Sequence, residues 1–170
     1  MIYLVEGLNG AGKSTWIKKQ CQAYAPDTEI VETPWANPRR FGLGSFKHYL
    51  KLDQVALDAY LFGVWESLLH QYKDSDRYVY FDRSWISCYV YGSISEKVFI
   101  ELANIWKDLD VTIVYVFSNK AEDRFRLQTD KDYVDEGAEW RKTHYKFDSA
   151  FCDLKDHLNY KVEFASGDKE

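Results

Sequence analysis

The segment from Gly7 to Ser14 constrains the fold more than any other part of the chain, because it matches G-x-x-x-x-G-K-[ST] at every required position. An apolar run precedes it and a helix-like segment follows it, which is the context that this pattern needs. Its glycines allow turns that a Cβ would prevent, so that consecutive N–H groups can point at phosphate oxygens. The pattern predicts a phosphate-binding loop whose following helix turns its positive end toward the anion.

Each position of this loop has an expected contact with a bound nucleotide. Lys13 is expected to reach the β- and γ-phosphates, and the Ser14 hydroxyl is expected to hold Mg²⁺. The predicted nucleotide-binding residues are Gly7, Asn9, Gly10, Ala11, Gly12, Lys13, Ser14 and Thr15. The predicted ligand is a Mg²⁺-bound nucleoside triphosphate, most simply ATP.

The composition is that of a globular protein that forms one domain over residues 1–170. Hydrophobic residues make up 46% and charged residues 29%, which is ordinary for a folded chain. The net charge of −5 opposes a large non-specific nucleic-acid surface, since such surfaces depend on Lys and Arg. A small anionic ligand is compatible with this charge.

The cysteines and the apolar segments indicate the cellular location. Cys21, Cys88 and Cys152 are widely spaced and predict neither a disulfide framework nor a zinc site. The sequence shows no basic leader and no apolar stretch near the ~20 residues that a membrane span needs. A cytoplasmic protein that does not bind membranes is therefore expected.

Strand-like apolar runs alternate with helix-like segments along the chain. This alternation predicts an α/β fold in which a parallel sheet of five strands has helices on both faces. Strands are expected at 2–5, 28–32, 78–81, 111–117 and 160–164, and helices at 14–23, 46–72, 84–91, 96–109 and 138–157. A further helix is expected to begin at 119–122 and to carry Arg124 and Arg126. Ser93 and Glu96 fit a capping box, and residues 165–170 are expected to fray.

Two irregular segments have the character of binding loops. Residues 33–45 hold two Pro and two Gly, and the length of this loop is typical of substrate-binding loops. Its Trp35, Arg39 and Arg40 are candidate substrate contacts. Residues from about 126 to 138 are polar and are interpreted as a lid. Arg124 and Arg126 would close on the phosphates from that side.

Polar residues follow the second and third predicted strands at their carboxyl ends. Asp82 and Arg83 come directly after the run at 78–81, and Glu32 ends the run at 28–32. Ligands of open α/β sheets bind beyond these ends, so Asp82 and Arg83 are expected beside the phosphate loop and Glu32 on the facing side of the cleft. Asp82 would hold Mg²⁺ through water, and Arg83 would stabilise charge on a transferred phosphoryl group.

Two motifs resemble the thymidylate-kinase-like branch of nucleoside and nucleotide kinases. Residues 6–15 are similar to the phosphate loop of thymidylate kinases, including the Glu before the first Gly. Residues 82–91 match the family pattern D-R-x-x-x-S-x-x-x-Y at Asp82, Arg83, Ser87 and Tyr91. The resemblance implies a P-loop NTPase fold, kinase activity with ATP and Mg²⁺ in nucleotide metabolism, and a homodimer.

The sequence leaves open whether the phosphoryl group is accepted by a hydroxyl or by a monophosphate, and Glu32 bears on this choice. The segment Glu32-Thr-Pro-Trp35 is closer to the E-P-x-x-x-W of deoxynucleoside kinases than to the corresponding turn of thymidylate kinases. A hydroxyl acceptor needs a general base, which Glu32 could supply, whereas a monophosphate is already ionised at neutral pH. The expected acceptor is a pyrimidine deoxynucleoside or its monophosphate. Trp35, Phe62 and Tyr91 are candidate contacts for the base, whereas Trp65 is expected in the core.

Three alternatives remain at this point. A GTPase is suggested by Asn119 to Glu122, which nearly matches N-K-x-D but also fits a helix cap. A kinase acting on a hydroxyl of a nucleic acid or modified base would also use Glu32 and the Arg39-Arg40 loop. The third alternative is a nucleotide-binding module without catalysis.

Overall fold

The computed structural model describes residues 1–8, 10–24, 27–33, 53–119 and 136–168, without the side chains of Glu32 and of residues 136–140. Beyond Thr33, the predicted loop at 33–45 lies outside these residues. The predicted helix that carries Arg124 and Arg126 and most of the predicted lid also lie outside them.

The described ranges contain five strands and five helices, which alternate except where two helices follow the third strand. They are β1 (Ile2–Glu6), α1 (Lys13–Tyr24), β2 (Thr28–Glu32), α2 (Gln54–Tyr72), β3 (Tyr78–Asp82), α3 (Trp85–Val90), α4 (Glu96–Trp106), β4 (Val111–Phe117), α5 (Glu136–Leu158) and β5 (Lys161–Ser166). None of the helices in these ranges has the length and apolar character needed to cross a bilayer.

The five strands form one parallel sheet in the order β2-β3-β1-β4-β5, which confirms the predicted fold. The strand β1 is central, and the chain moves outward from it in opposite directions. Asp82 is in register with both Val5 and Glu32, and Glu6 is in register with Tyr115. The carboxyl ends of four strands therefore meet at one edge of the sheet, where ligands of such sheets bind.

The two faces of the sheet are covered unequally. On one face, α2 to α5 enclose a large core that is centred on Trp65, Phe81 and Trp106, all of them fully buried. On the opposite face, Ile17 of α1 packs with a small group of strand residues that includes Val5. The helices thus lie on both faces, and the prediction that Trp65 belongs to the core is confirmed.

The structure corrects three predicted boundaries. α2 begins at Gln54 and not at residue 46, because Asp53 is its N-cap and accepts a hydrogen bond from the Val55 N–H at 3.0 Å. Ser95, not Ser93, is the N-cap of α4, because its hydroxyl accepts a hydrogen bond from the Val98 N–H at 3.4 Å. Ser93 instead belongs to the turn after α3, where its N–H donates to the Cys88 carbonyl at 2.7 Å. The predicted fraying from residue 165 is wrong as far as Asp168, since β5 continues to Ser166 and the Gly167 N–H donates to the Phe117 carbonyl at 2.8 Å.

Candidate functional site

The loop between β1 and α1 has the backbone that its glycines predict. Gly7, Gly10 and Gly12 have φ angles of +142°, +80° and +92°, in the region that side chains with a Cβ rarely adopt. A Cβ on Gly7 would also lie 2.3 Å from the carbonyl oxygen of Val116. Neither the conformation nor the space at Gly7 allows another residue, so the loop lies tightly against β4.

Lys13 is buried within this loop. Its ammonium Nζ donates to the carbonyl oxygens of Gly7 at 3.0 Å and Leu8 at 2.8 Å. Burial, and then the nearby Arg83 cation, lower the pKa of Lys13 to about 7, against the opposing effect of Asp82 and Glu6. Additional negative charge beside this amine would raise its pKa again.

Ser14 and Asp82, the two predicted Mg²⁺ ligands, lie together. The Ser14 hydroxyl in the first turn of α1 donates to Asp82 Oδ2 at the end of β3 over 2.8 Å. Within the ranges described, no group of three or more His, Cys, Asp or Glu side chains is assembled for a metal. A hydroxyl and one carboxylate suit Mg²⁺, which keeps several waters and takes oxygens from the phosphates. These two residues therefore fit the predicted ion.

Arg83 lies next to this pair with an unusual backbone. Its φ angle is +70°, in the left-handed region that non-glycine residues seldom adopt, and its N–H donates to the Val5 carbonyl at 3.0 Å. Its buried side chain donates from Nη1 to Ser87 Oγ at 3.1 Å. The guanidinium carbon lies 5.3 Å from the centre of the Tyr91 ring. The predicted site residues Arg83 and Tyr91 are thus in contact.

The end of β2 reaches the same edge of the sheet. Glu32 is in register with Asp82, although its side chain is not described. The hydroxyl of the next residue, Thr33, donates to the Asp82 carbonyl at 3.0 Å. The backbone of Glu32 is therefore beside Asp82, and the direction of its carboxylate stays a prediction.

Two further predicted residues lie in α2 and α1. Phe62 is half-buried on α2 and packs against the large core. Thr15 is exposed in the first turn of α1. The residues that lie outside the described ranges and stay predictions are Asn9, Trp35, Arg39, Arg40, Arg124 and Arg126.

Glu6 is a site residue to which the sequence analysis assigned no role. Its carboxylate is fully buried and accepts hydrogen bonds from the Ser84 N–H at 2.8 Å, the Ser84 hydroxyl at 2.5 Å and the Ser87 hydroxyl at 2.5 Å. Burial raises the pKa of Glu6, although the two serines and Arg83 oppose this. A carboxylate at the end of a strand that is buried on both faces needs hydrogen-bond donors. The position of Glu6 at the end of β1 was therefore the sequence feature that could have indicated its role.

The segment after β5 also contributes to the site without having been predicted. Gly167 lies against the phosphate loop, where a Cβ would come within 1.7 Å of the Ala11 carbonyl oxygen. The Asp168 carboxylate accepts hydrogen bonds from the Ser118 hydroxyl and from the Asn119 N–H, the latter at 3.0 Å. The loop is therefore held between β4 and the chain that leaves β5.

Many solved structures resemble this one. A deoxyadenosine kinase from M. mycoides, with dCMP and dCDP bound, has a TM-score of 0.60 and 16% identity over 100% of this chain and 92% of its own. The YorR protein of Bacillus subtilis, in complex with phosphorylated GDP, has a TM-score of 0.64 and 15% identity over 98% and 86%. A thymidylate kinase from Ehrlichia chaffeensis has a TM-score of 0.59 and 14% identity over 97% and 89%.

These similarities are structural. No family model matches the sequence, and no curated protein matches it either. At such low identity the similarity establishes the fold, which is that of P-loop nucleoside and nucleotide kinases. The resemblance that the two motifs indicated is confirmed at this level.

Proposed function

We propose that this protein is a kinase that transfers the γ-phosphoryl group of Mg²⁺-bound ATP to a pyrimidine deoxynucleoside or its monophosphate. The observation that carries the proposal is the contact between Ser14 and Asp82, which joins the start of α1 to the end of β3 beside the phosphate loop. A phosphate loop with this pair and a neighbouring arginine suits phosphoryl transfer, in which catalysis is mostly positioning and charge stabilisation.

Each cationic side chain of the site would have a separate role in phosphoryl transfer. Lys13 binds the phosphates, Arg83 stabilises charge on the transferred group, and Arg124 or Arg126 closes from the lid. Ser14, and Asp82 through water, would hold Mg²⁺, which would supply further neutralisation of the phosphate charge. The acceptor oxygen forms a bond to the γ-phosphorus while the bond to the bridging oxygen breaks, and ADP leaves. With a hydroxyl acceptor, Glu32 takes the hydroxyl proton.

The proposal is tested by a screen for ATP consumption with nucleosides and their 5′-monophosphates, read as ADP formed. We expect turnover with pyrimidine deoxy compounds and its loss in Lys13→Ala. Lack of turnover with every member of both sets would refute the small-molecule kinase. Retention on single-stranded DNA that weakens steeply with salt would then favour a nucleic-acid substrate.

The acceptor is identified by Glu32→Gln within the same screen. If the acceptor is a hydroxyl, loss of the base should lower kcat by about 10²-fold or more. If Glu32→Gln turns over a monophosphate at the wild-type rate, Glu32 is not a general base. Glu29→Gln is the matched control, because Glu29 lies on the same strand but accepts a hydrogen bond from Tyr72, away from the site.

A further inference from the structure

In the buried cluster around Glu6, the hydrogen bonds define which groups donate and which accept. The Ile86 backbone N–H donates to the Ser84 hydroxyl oxygen at 3.1 Å, and the Arg83 guanidinium donates to the Ser87 hydroxyl oxygen at 3.1 Å. Neither group can accept a hydrogen bond in return. Each hydroxyl has one proton, and in both serines it is given to Glu6. In this arrangement the side chain at position 6 must accept all three hydrogen bonds that Ser84 and Ser87 donate.

A carboxylate satisfies this requirement and an amide of the same shape does not. One oxygen of Glu6 accepts two hydrogen bonds from Ser84, and the other accepts one from Ser87. Glutamine has one oxygen, so when that oxygen accepts from Ser84 its NH₂ group cannot accept the Ser87 proton. The Ser87 oxygen would then face two donors, this NH₂ group and the Arg83 guanidinium.

The same cluster holds the strained backbone of Arg83. The N–H groups on either side of its left-handed turn bind the last two residues of β1, since the Arg83 N–H donates to Val5 and the Ser84 N–H to Glu6. Such a conformation persists where the surroundings over-determine it, and it is concentrated at functional sites. The guanidinium is then fixed by Ser87 on one side and faces the Tyr91 ring.

We infer that Glu6 is a positioning residue that holds the Arg83 guanidinium in place for phosphoryl transfer, acting through Ser84 and Ser87. This inference rests on the proposed function, in which Arg83 stabilises the transferred group. Glu6 itself touches no substrate, because it is fully buried behind the two serines.

The test compares Glu6→Gln and Ser87→Ala with the wild type in the acceptor reaction and in ATP binding. Each change should lower kcat/KM for the acceptor by about 10²-fold, the effect of a small misplacement of a catalytic group. Ser87→Ala changes no charge and should leave the Kd of ATP within about twofold. Tyr160→Phe is the control, since it removes a buried 2.6 Å hydrogen bond to the Ala103 carbonyl far from the site.

A double-mutant cycle separates positioning from a general structural role. In an Arg83→Met background, Glu6→Gln should change kcat/KM by less than about twofold, because the group that it positions is already gone. Effects that multiply, or a Kd of ATP that rises as much as kcat/KM falls, would overturn the inference. A Ser87→Ala variant with wild-type kinetics would also overturn the inference. This variant provides the test if Glu6→Gln does not fold.

A measurement without turnover distinguishes this inference from the proposed function. In ¹⁵N NMR spectra, the Arg83 side-chain resonance is identified by its absence in Arg83→Met. We expect it to shift and broaden in Glu6→Gln. An unchanged resonance refutes the positioning role, whereas a wild type that turns over no acceptor refutes the proposed function alone.

Discussion

Lys13 has a buried amine whose charge depends on its ligand. In the protein without nucleotide, burial lowers the pKa of Lys13 to about 7, so that at about pH 8 the amine is mostly neutral. Phosphate oxygens at hydrogen-bond distance favour the charged form and raise this pKa again. If the site binds ATP as proposed, binding should be coupled to uptake of a proton.

This coupling gives a prediction at the level of one residue. At about pH 8, ATP binding should take up close to one proton, and its affinity should fall as the pH rises above about 7. Calorimetric titrations in two buffers of different ionisation enthalpy measure the uptake. Lys13→Arg, whose guanidinium stays charged, is the control. Equal uptake in Lys13→Arg would show that another group titrates.

The connection between β5 and the phosphate loop is a property of whole elements. The Gly167 N–H extends the pairing of β5 with β4, and Gly167 then lies against Ala11 and Gly12. A Cβ at position 167 would meet backbone oxygen at 1.7 Å, and backbone cannot move aside as a side-chain end can. The loop is thus shaped by a strand that is distant in sequence.

Gly167→Ala should displace the loop and weaken ATP binding by about tenfold or more, since small shifts misplace the phosphate contacts. Gly63→Ala is the matched control, because a Cβ at this helical position has nothing within 4 Å. The control should keep its ATP affinity and gain about 0.5–1 kcal/mol in the free energy of unfolding. Calorimetry and urea denaturation measure both quantities. Unchanged ATP affinity in Gly167→Ala would contradict the role of this contact.

The stability of the whole molecule depends mainly on one side of the sheet. Phe81 lies at the centre of the larger core, with edge-to-face contacts to Tyr72 and Trp106, both at 5.6 Å between ring centres. Aromatic pairs of this geometry contribute beyond the area that they bury. Phe81 also directly precedes Asp82 in β3, so packing of Phe81 in the core fixes the position of Asp82 at the end of the strand.

Phe81→Leu should therefore lower the free energy of unfolding by about 1–3 kcal/mol. The same substitution at Phe164, which is 64% exposed on β5, should change it by less than about 0.5 kcal/mol. Urea denaturation with matching m-values compares the two variants. Equal losses would mean that burial of Phe81 in the larger core adds nothing to the stability.

Local sequence was enough for the elements and for part of the site. The strands at 28–32 and 111–117 have the predicted bounds, because their β-rich apolar runs are short and clearly bounded. The N-cap of α4 was misplaced by two residues, since a capping box and a preceding turn compete for the same serines. Contacts between Ser14 and Asp82 followed from the rule that parallel strands end at one edge.

Three features could be predicted from the sequence because each depends on neighbours along the chain: the glycine-rich loop after β1, the succession of strands and helices, and the residues at the strand ends. The hydrogen bonds from Ser84 and Ser87 to Glu6, and the place of Gly167 against the loop, became visible only in the folded chain. Both contacts join residues far apart in sequence, and no local pattern specifies which distant donor a buried carboxylate or a glycine will meet. That choice depends on the strand order, which brings β3 and β4 to either side of β1.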